Sequence, residues 1–201
     1  SLEKQINKDD EIEVIVVDML KNQRDENIAT WKHPFKIVHC LPKPSVWQGE
    51  HRLTKVDWWA ISNARNTFVW LATHPFVAFV DDRCVLVPTW LSSVKRAMQE
   101  NYAVAGSYEK RMNMKVEDGI IVEQGETVGV DFRNPKRMVW TPRNTYGGDW
   151  YGCTSALPLE WVLEQNGHDE NCDSLGLEDA IFGNRLERNN RITRFDPAMK
   201  I

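Results

Sequence analysis

Several short groups of residues in this chain carry side chains suited to chemistry. Asp18 closes the run IEVIVVD, and Asp81-Asp82-Arg83 follows FVAFV. Two adjacent carboxylates repel each other, and a divalent cation would relieve that repulsion. Oxygen ligands suit Mg2+ or Mn2+, which often take only one or two protein carboxylates and fill their shell with substrate phosphates. The plainer reading is an Asp capping the next turn. Glu178-Asp179 falls in the first turn of a predicted helix. The helix dipole favours carboxylates there by ~0.3–1 kcal/mol, and the same dipole would keep a general base ionised. Asn63-Ala64-Arg65-Asn66 is a polar turn inside a helix that otherwise carries apolar residues. It is either a solvated face or a reach toward a nucleotide, for which Arg is well shaped. Gly148-Asp149-Trp150-Tyr151-Gly152-Cys153 reads as a core strand or as a wall on which a sugar ring stacks.

The elements that must position these groups follow from hydrophobic pattern. Ile12–Asp18 is a near-continuous β-branched run, the pattern of a strand buried on both faces. Phe35–Cys40 and Phe76–Val80 are two further short strands, and Leu41-Pro42-Lys43-Pro44 breaks the chain between them. From Thr54 to Thr73, Val56, Trp59, Ala60, Ala64, Phe68 and Leu71 recur at helical steps and predict one buried face. Pro88 opens a helix that runs to about Glu100. Tyr102–Tyr151 predicts antiparallel strands and long loops, with strands at Thr127–Phe132 and Arg137–Thr141. A short helix begins at Leu157-Pro158-Leu159 and ends near Gly167. Leu177–Arg188 is a last helix with Leu177, Ile181 and Leu186 on or near one face, and Arg191–Phe195 is a last strand. Strands alternating with helices predict a three-layer α/β/α sandwich on a mainly parallel, mixed sheet. In such sheets ligands bind beyond the carboxyl ends of the strands, where Asp18 and Asp81-Asp82 fall.

Composition narrows the field. The 201 residues are 42% hydrophobic and 27% charged, as expected of one folded domain. A formal charge of −4 gives no basic footprint, which argues against a nucleic-acid partner. The longest stretch without Asp, Glu, Lys or Arg, Asn66–Val80, is shorter than the ~20 apolar residues of a membrane span. Four cysteines, Cys40, Cys84, Cys153 and Cys172, show no CxxC spacing and read as buried thiols of a reducing, cytoplasmic compartment. Nine tryptophans exceed ordinary core needs and raise the question of a stacking surface. GxSxG, Walker A, HExxH and Gly-rich dinucleotide motifs are absent from the sequence.

The order of the landmarks is more informative than any one of them. Ser1-Leu2-x-x-Gln5, EVIVVD, Asn63–Asn66, FVAFVDDR with Trp90-Leu91, Trp150–Cys153, Gly167-His168-Asp169-Glu170 and Leu177-Glu178-Asp179 with Arg185-Leu186 follow one another along nearly the whole chain. This series resembles glycosyltransferase family 2 and its relatives with the GT-A fold. The resemblance implies an inverting, metal-dependent transfer of a sugar from a nucleotide-diphosphate sugar to a hydroxyl acceptor. It implies that Asp18 contacts the donor's base and that Arg65 lies over the nucleotide, supported by Asn63 and Asn66. Asp81 and Asp82 stand where the family grips ribose and a Mn2+ or Mg2+ on the diphosphate. Arg83 occupies a position that usually carries a third carboxylate and is left to bind phosphate. Asp179, with Glu178 beside it, matches the base that deprotonates the acceptor, and Trp150, Tyr151, Gly152 and Cys153 match the lining of the sugar and acceptor side.

The resemblance also implies one domain, with a nucleotide-binding half over residues 1–101 and an acceptor and catalytic half over 102–201. Family members begin with a strand and helix that do not precede Ser1, and a family-typical His would follow Ile201, so the chain reads as a fragment. An alternative from another class is a non-catalytic carbohydrate-binding or interaction module that keeps the GT-A core, favoured by the missing first strand, Arg83 and the tryptophan excess. A nucleotidyltransferase is a third reading. It would need a Gly-rich N-terminal loop.

Overall fold

A computed structural model describes residues 1–23, 28–45, 60–117, 120–134, 143–173 and 176–201. In chain order the elements are β1 (Glu13–Val17), β2 (Lys36–Cys40), α1 (Ile61–Leu71), β3 (Phe76–Val80), α2 (Trp90–Gln99) and β4 (Ala103–Ser107). Two antiparallel pairs follow: β5 (Glu109–Met112) with β8 (Glu126–Val130), and, between them, β6 (Lys115–Glu117) with β7 (Ile120–Glu123). The chain then adds β9 (Arg143–Asn144), β10 (Thr154–Pro158), α3 (Leu159–Glu164), α4 (Glu178–Arg188) and β11 (Thr193–Lys200).

The central sheet runs β3-β10-β4-β11-β9. β3, β4 and β11 share one direction, while β10 and β9 run against their neighbours. β4 and β10 lie inside this sheet and are buried at every residue. Alternation along them feeds two cores, because successive side chains leave opposite faces. Ala103, Ala105 and Leu157 join Val69, Trp161 and Phe182 beneath α1, α3 and α4. Val104 and Ala156 join Trp90, Leu91 and Met199 beneath α2, where Leu2, Ile6 and Ile12 also pack. The result is the three-layer α/β/α sandwich with a mixed sheet expected from the sequence.

Several local expectations change. β1 pairs in parallel with β2, Val14 opposite Ile37 and Val16 opposite His39, as a two-stranded sheet of its own. All five β1 residues are therefore only half-buried, where the sequence pattern predicts burial on both faces. β3 is an edge strand with alternating burial for the same reason: among the described residues only β10 pairs with it. The helix expected from Thr54 is described only from Ile61, and Val56 and Trp59 lie outside the described residues. Within α1 the buried side chains are Ser62, Asn63, Arg65, Thr67 and Val69, while Leu71 is exposed. In α4 the inward stripe is Glu178, Phe182 and Leu186, and Leu177 precedes the helix, exposed. The strand expected at Arg137–Thr141 lies outside the described residues. Trp90, Trp150 and Trp161 are core residues, and Trp31 and Trp70 are exposed. All four cysteines are free thiols and half-buried, not fully buried.

Candidate active site

β3 delivers Asp81 to the carboxyl end of the sheet, and its amide donates to the Cys153 carbonyl at 3.1 Å. This ties the acidic pair to the loop between Trp150 and β10. α1 runs past the same point and turns Arg65 inward, where the guanidinium is almost fully buried. Arg65 Nη1 donates to Glu178 Oε1 at 3.2 Å, and Nη2 lies 3.8 Å from Asp81 Oδ1. Gly152 sits directly against that guanidinium, and a Cβ there would collide with it. The same glycine's N–H donates to Asp179 Oδ2 at 3.2 Å, while Asp179 Oδ1 accepts from the Ala180 amide. Residues more than a hundred positions apart along the chain thus meet around one guanidinium.

The charges respond to this crowding. Burial pushes the Asp81 carboxyl above its ordinary value, Arg65 pulls it back, and repulsion from Asp82 and Asp179 raises it again. Burial pushes the neighbouring thiols up as well, Cys84 to about 12 and Cys153 to about 11, with Asp81 adding to both. They are protonated spectators at neutral pH, since the thiolate is the nucleophile.

A loop of residues 167–173 closes over α1. Asn66 Nδ2 donates to the His168 carbonyl and to Glu170 Oε1, and Asn66 Oδ1 accepts from the His168 amide. Asn63 Nδ2 donates to Glu170 Oε2. The buried Asp173 carboxylate accepts from the Ser62 and Asn63 amides and caps α1 from a distant part of the chain. Burial raises Asp173, whereas Glu170, which burial alone would raise, is brought below its ordinary value by Lys43, Asn66 and Asn63. His168 is enclosed between Phe182, stacked at 4.3 Å, and Phe79, edge-on at 5.4 Å. Burial, with Arg65 and Arg185 nearby, pushes its imidazole well below the ordinary value, so it is neutral. A polar cavity of about 610 Å³ lies beside this loop, with Gln165, Glu170 and Arg185 in its wall. Asp81, Asp82 and Asp179 are not among its lining residues.

The remaining sequence candidates divide. Asp82 and Arg83 are exposed at the turn after β3. Asp18 is buried at the end of β1, where Oδ1 accepts from the Leu20 amide and Oδ2 lies 3.1 Å from His39 Nε2. Trp150 is a core side chain beneath α4, in contact with Phe182, and Tyr151 is half-buried beside it in sequence. Gly147 and Gly183 let this loop and α4 touch backbone to backbone, and a Cβ on either would collide with the other segment. Three features escaped sequence reading: the cap from Asp173, the role of Glu170 as an anchor for both asparagines, and a buried Asp131–Arg133 pair. Glu170 lies in the Gly167–Glu170 landmark, so its position was marked but not its partners. Nothing local in the sequence marks Arg133, whose partners come from three separate segments.

This chain is similar in structure to the crystal structure of GalNAc-T7 with UDP, GalNAc and Mn2+, with a TM-score of 0.58 over 94% of this chain. The fold is GT-A-like. Sequence identity across the match is 16%, and the match spans 37% of that chain's length. No family model and no curated protein matches the sequence. Within the GT-A-like sheet, the Asp81–Arg65–Glu178 contact lies beyond the end of β3, where open α/β sheets bind ligands. No helix among the described residues is long and apolar enough to cross a membrane.

Proposed function

We propose that this chain carries the donor and catalytic site of a glycosyltransferase that moves a sugar from a nucleotide-diphosphate sugar to a hydroxyl acceptor with inversion. The observation that supports it is the meeting of Arg65, Asp81, Glu178 and Asp179 at the end of β3. In this reading residues 1–101 bind the nucleotide and residues 102–201 bind the acceptor.

Asp81 and Asp82 offer two hard oxygen donors where carboxylates already repel one another, which fits Mg2+ or Mn2+. Among the described residues no three His, Cys, Asp or Glu side chains are grouped to hold an ion alone. Cation binding is therefore expected only together with the diphosphate, whose oxygens complete the shell. When bound, the ion supplies neutralisation of the leaving diphosphate. Arg65, fixed between Asp81 and Glu178, contributes a second positive charge that needs no rearrangement. Arg83, exposed beside the acidic pair, is free to swing onto phosphate. Asp179 accepts the proton of the attacking hydroxyl, and the Gly152 N–H aims that carboxylate before the acceptor arrives. Glu178 is a positioning residue, held against Arg65. Asp18 contacts the donor base, and Asn63 and Asn66 support the nucleotide side through the loop they anchor. Tyr151, Gly152 and Cys153 line the sugar side, with Trp150 holding them from the core.

Calorimetric titration with UDP-, GDP- and dTDP-sugars in Mn2+ tests this, beginning with UDP because GalNAc-T7 was crystallised with it. One donor is expected to bind, and Asp81→Ala and Asp82→Ala should each weaken it by about tenfold or more. Asp179→Asn should bind donor normally and lose about 10²–10⁴ in kcat, as expected for a missing general base. No binding to any donor, or identical binding by the Asp81 and Asp82 variants, ends the proposal. The second reading, a carbohydrate-binding module, gains support if glycans bind while no nucleotide-sugar donor does, with or without Mn2+.

A further inference from the structure

A set of aromatic side chains surrounds Tyr151, and of these only Tyr151 has a part in the chemistry above. Tyr108, between β4 and β5, stacks on Tyr151 with ring centres 6.4 Å apart and planes 27° apart. Phe132, two residues beyond β8, meets Tyr151 edge-on at 6.0 Å. The Arg133 guanidinium lies 4.3 Å from the centre of the Tyr151 ring and 4.7 Å from that of Phe195. Arg133 is itself locked. It forms a buried two-pronged pair with Asp131 and donates to the carbonyls of Asp149 and Gly106. This anchor joins the segment that carries Phe132, the segment that carries Tyr151 and the central strand β4.

Such rigidity makes the exposure of Phe132 informative. The ring is 68% exposed although its neighbour Arg133 is buried. A phenyl ring fixed in the open beside a rigid tyrosine offers a ligand an apolar face to cover. Its place supplies the identity of the cover. Tyr151 is followed directly by Gly152, whose N–H holds Asp179. Tyr108, stacked on Tyr151, extends the aromatic surface away from that contact. One end of the group is the open Phe132 ring, and the other, Tyr151, is joined through Gly152 to the Asp179 carboxylate. A pyranose ring has the matching form, with a face of C–H groups and a rim of hydroxyls. Aromatic rings take the first and polar tips take the second.

We propose that Tyr108, Phe132 and Tyr151 form a stacking shelf for the acceptor and that the acceptor is therefore a pyranoside. The identification of the occupant as the acceptor rests on the glycosyl-transfer reading; the binding of a pyranose ring to the shelf does not. The shelf sets which ring face points down and so which hydroxyl approaches Asp179, which makes Phe132 and Tyr108 specificity-determining residues.

Saturation-transfer NMR with methyl glycosides of glucose, galactose, mannose, N-acetylglucosamine and N-acetylgalactosamine, without nucleotide or metal, tests the shelf. At least one glycoside should bind, Phe132→Ala and Tyr108→Ala should each weaken it by about tenfold, and Trp70→Ala should bind like the parent. Trp70 is the control because it is an exposed aromatic on α1. Phe132 is open to solvent, so thermal unfolding of Phe132→Ala should match the parent and separate lost binding from lost folding. No glycoside binding, or unchanged binding in Phe132→Ala, overturns the shelf. Donor titration separates the two claims. Asp81-dependent donor binding without any glycoside at the shelf overturns the shelf and leaves glycosyl transfer standing. Phe132-dependent glycoside binding without any donor binding keeps the shelf and overturns transfer.

Discussion

Helices α1 and α2 lie on opposite faces of the same sheet and are built by opposite rules. α2 buries Trp90, Leu91 and Ala97 against the sheet and places Lys95 and Arg96 at its margin, where they pair with Asp10 and Asp196. α1 buries Ser62, Asn63, Arg65 and Thr67 and leaves Trp70 74% exposed. Every inward polar group of that kind must find a partner or pay a desolvation penalty. Thr67 is served by the Asn63 carbonyl and the Lys43 amide. Glu170, Asp173 and Glu178, which meet the Asn63 side chain, the Ser62 and Asn63 amides and Arg65, come from the last third of the chain. α2 is held by apolar area that any collapsed state would begin to gather. The polar end of α1 is held by contacts that exist only once the chain is fully closed, and that closure is what assembles the candidate site.

The largest effect expected from this contrast is on the α2 side. Trp90→Ala should destabilise the protein by about 4 kcal/mol in urea unfolding, as large core truncations do, and it also orphans the Thr154 hydroxyl that the indole N–H reaches. Donor and glycoside binding should survive it at temperatures where the variant is folded. On the α1 side, Arg65→Met leaves Glu178 buried without its cation and should cost about 3 kcal/mol, with loss of donor binding. Arg65→Met combined with Glu178→Met should recover most of that stability and none of the binding. A double-mutant cycle showing independent, additive losses would break the view that the pair acts as one unit.

Mild acid should weaken the fold through His168, whose backbone is held by Asn66 of α1. His168 has its folded value pushed below the ordinary 6.5 by burial, so the unfolded chain takes up a proton as pH falls past about 6.5 while the folded chain does not. This contribution is fully present above that pH and is lost below it by up to about 1.4 kcal/mol per pH unit. His168→Phe, stacked between Phe79 and Phe182 in the same way, should remove that part of the slope in thermal unfolding at pH 7.5, 6.5 and 5.5. The smallest effect concerns the turn that delivers Glu178 to Arg65. Leu177 holds a left-handed backbone at φ 70° directly after Gly176 at φ 84° and is exposed. Leu177→Gly should relieve strain and raise stability by about 0.5–1 kcal/mol, and a loss instead would mean that the leucine side chain has a partner of its own.

Much of this layout was legible without coordinates. The β-branched run at β1, the apolar run at β3 and the Pro88 start of α2 announce themselves because local backbone preference and apolar period agree there. α1 was legible as a helix and misleading as a surface. Ala64, Phe68 and Leu71 repeat at the right steps, and a periodicity argument assumes that apolar residues point inward. It has no means of knowing that Asp173 will cap the helix from 110 residues away or that Glu178 will neutralise Arg65. Trp150 shows the opposite error. Its aromatic type suggests a ligand wall, but Gly147 and Gly183 let α4 close over it, and it became core while Tyr151 beside it stayed near the surface.

The linear order of residues determined the alternation of strands and helices, and with it the GT-A-like sandwich and the strand end at which Asp81 stands, because hydrophobic period and turn residues are local properties of the chain. Tertiary structure alone decided that Glu178 faces Arg65, that Asp179 is aimed by Gly152, and that an open phenyl ring is anchored beside them. Those outcomes depend on close approach and on charges meeting at a few ångströms, and neither quantity exists until distant segments pack against the same sheet.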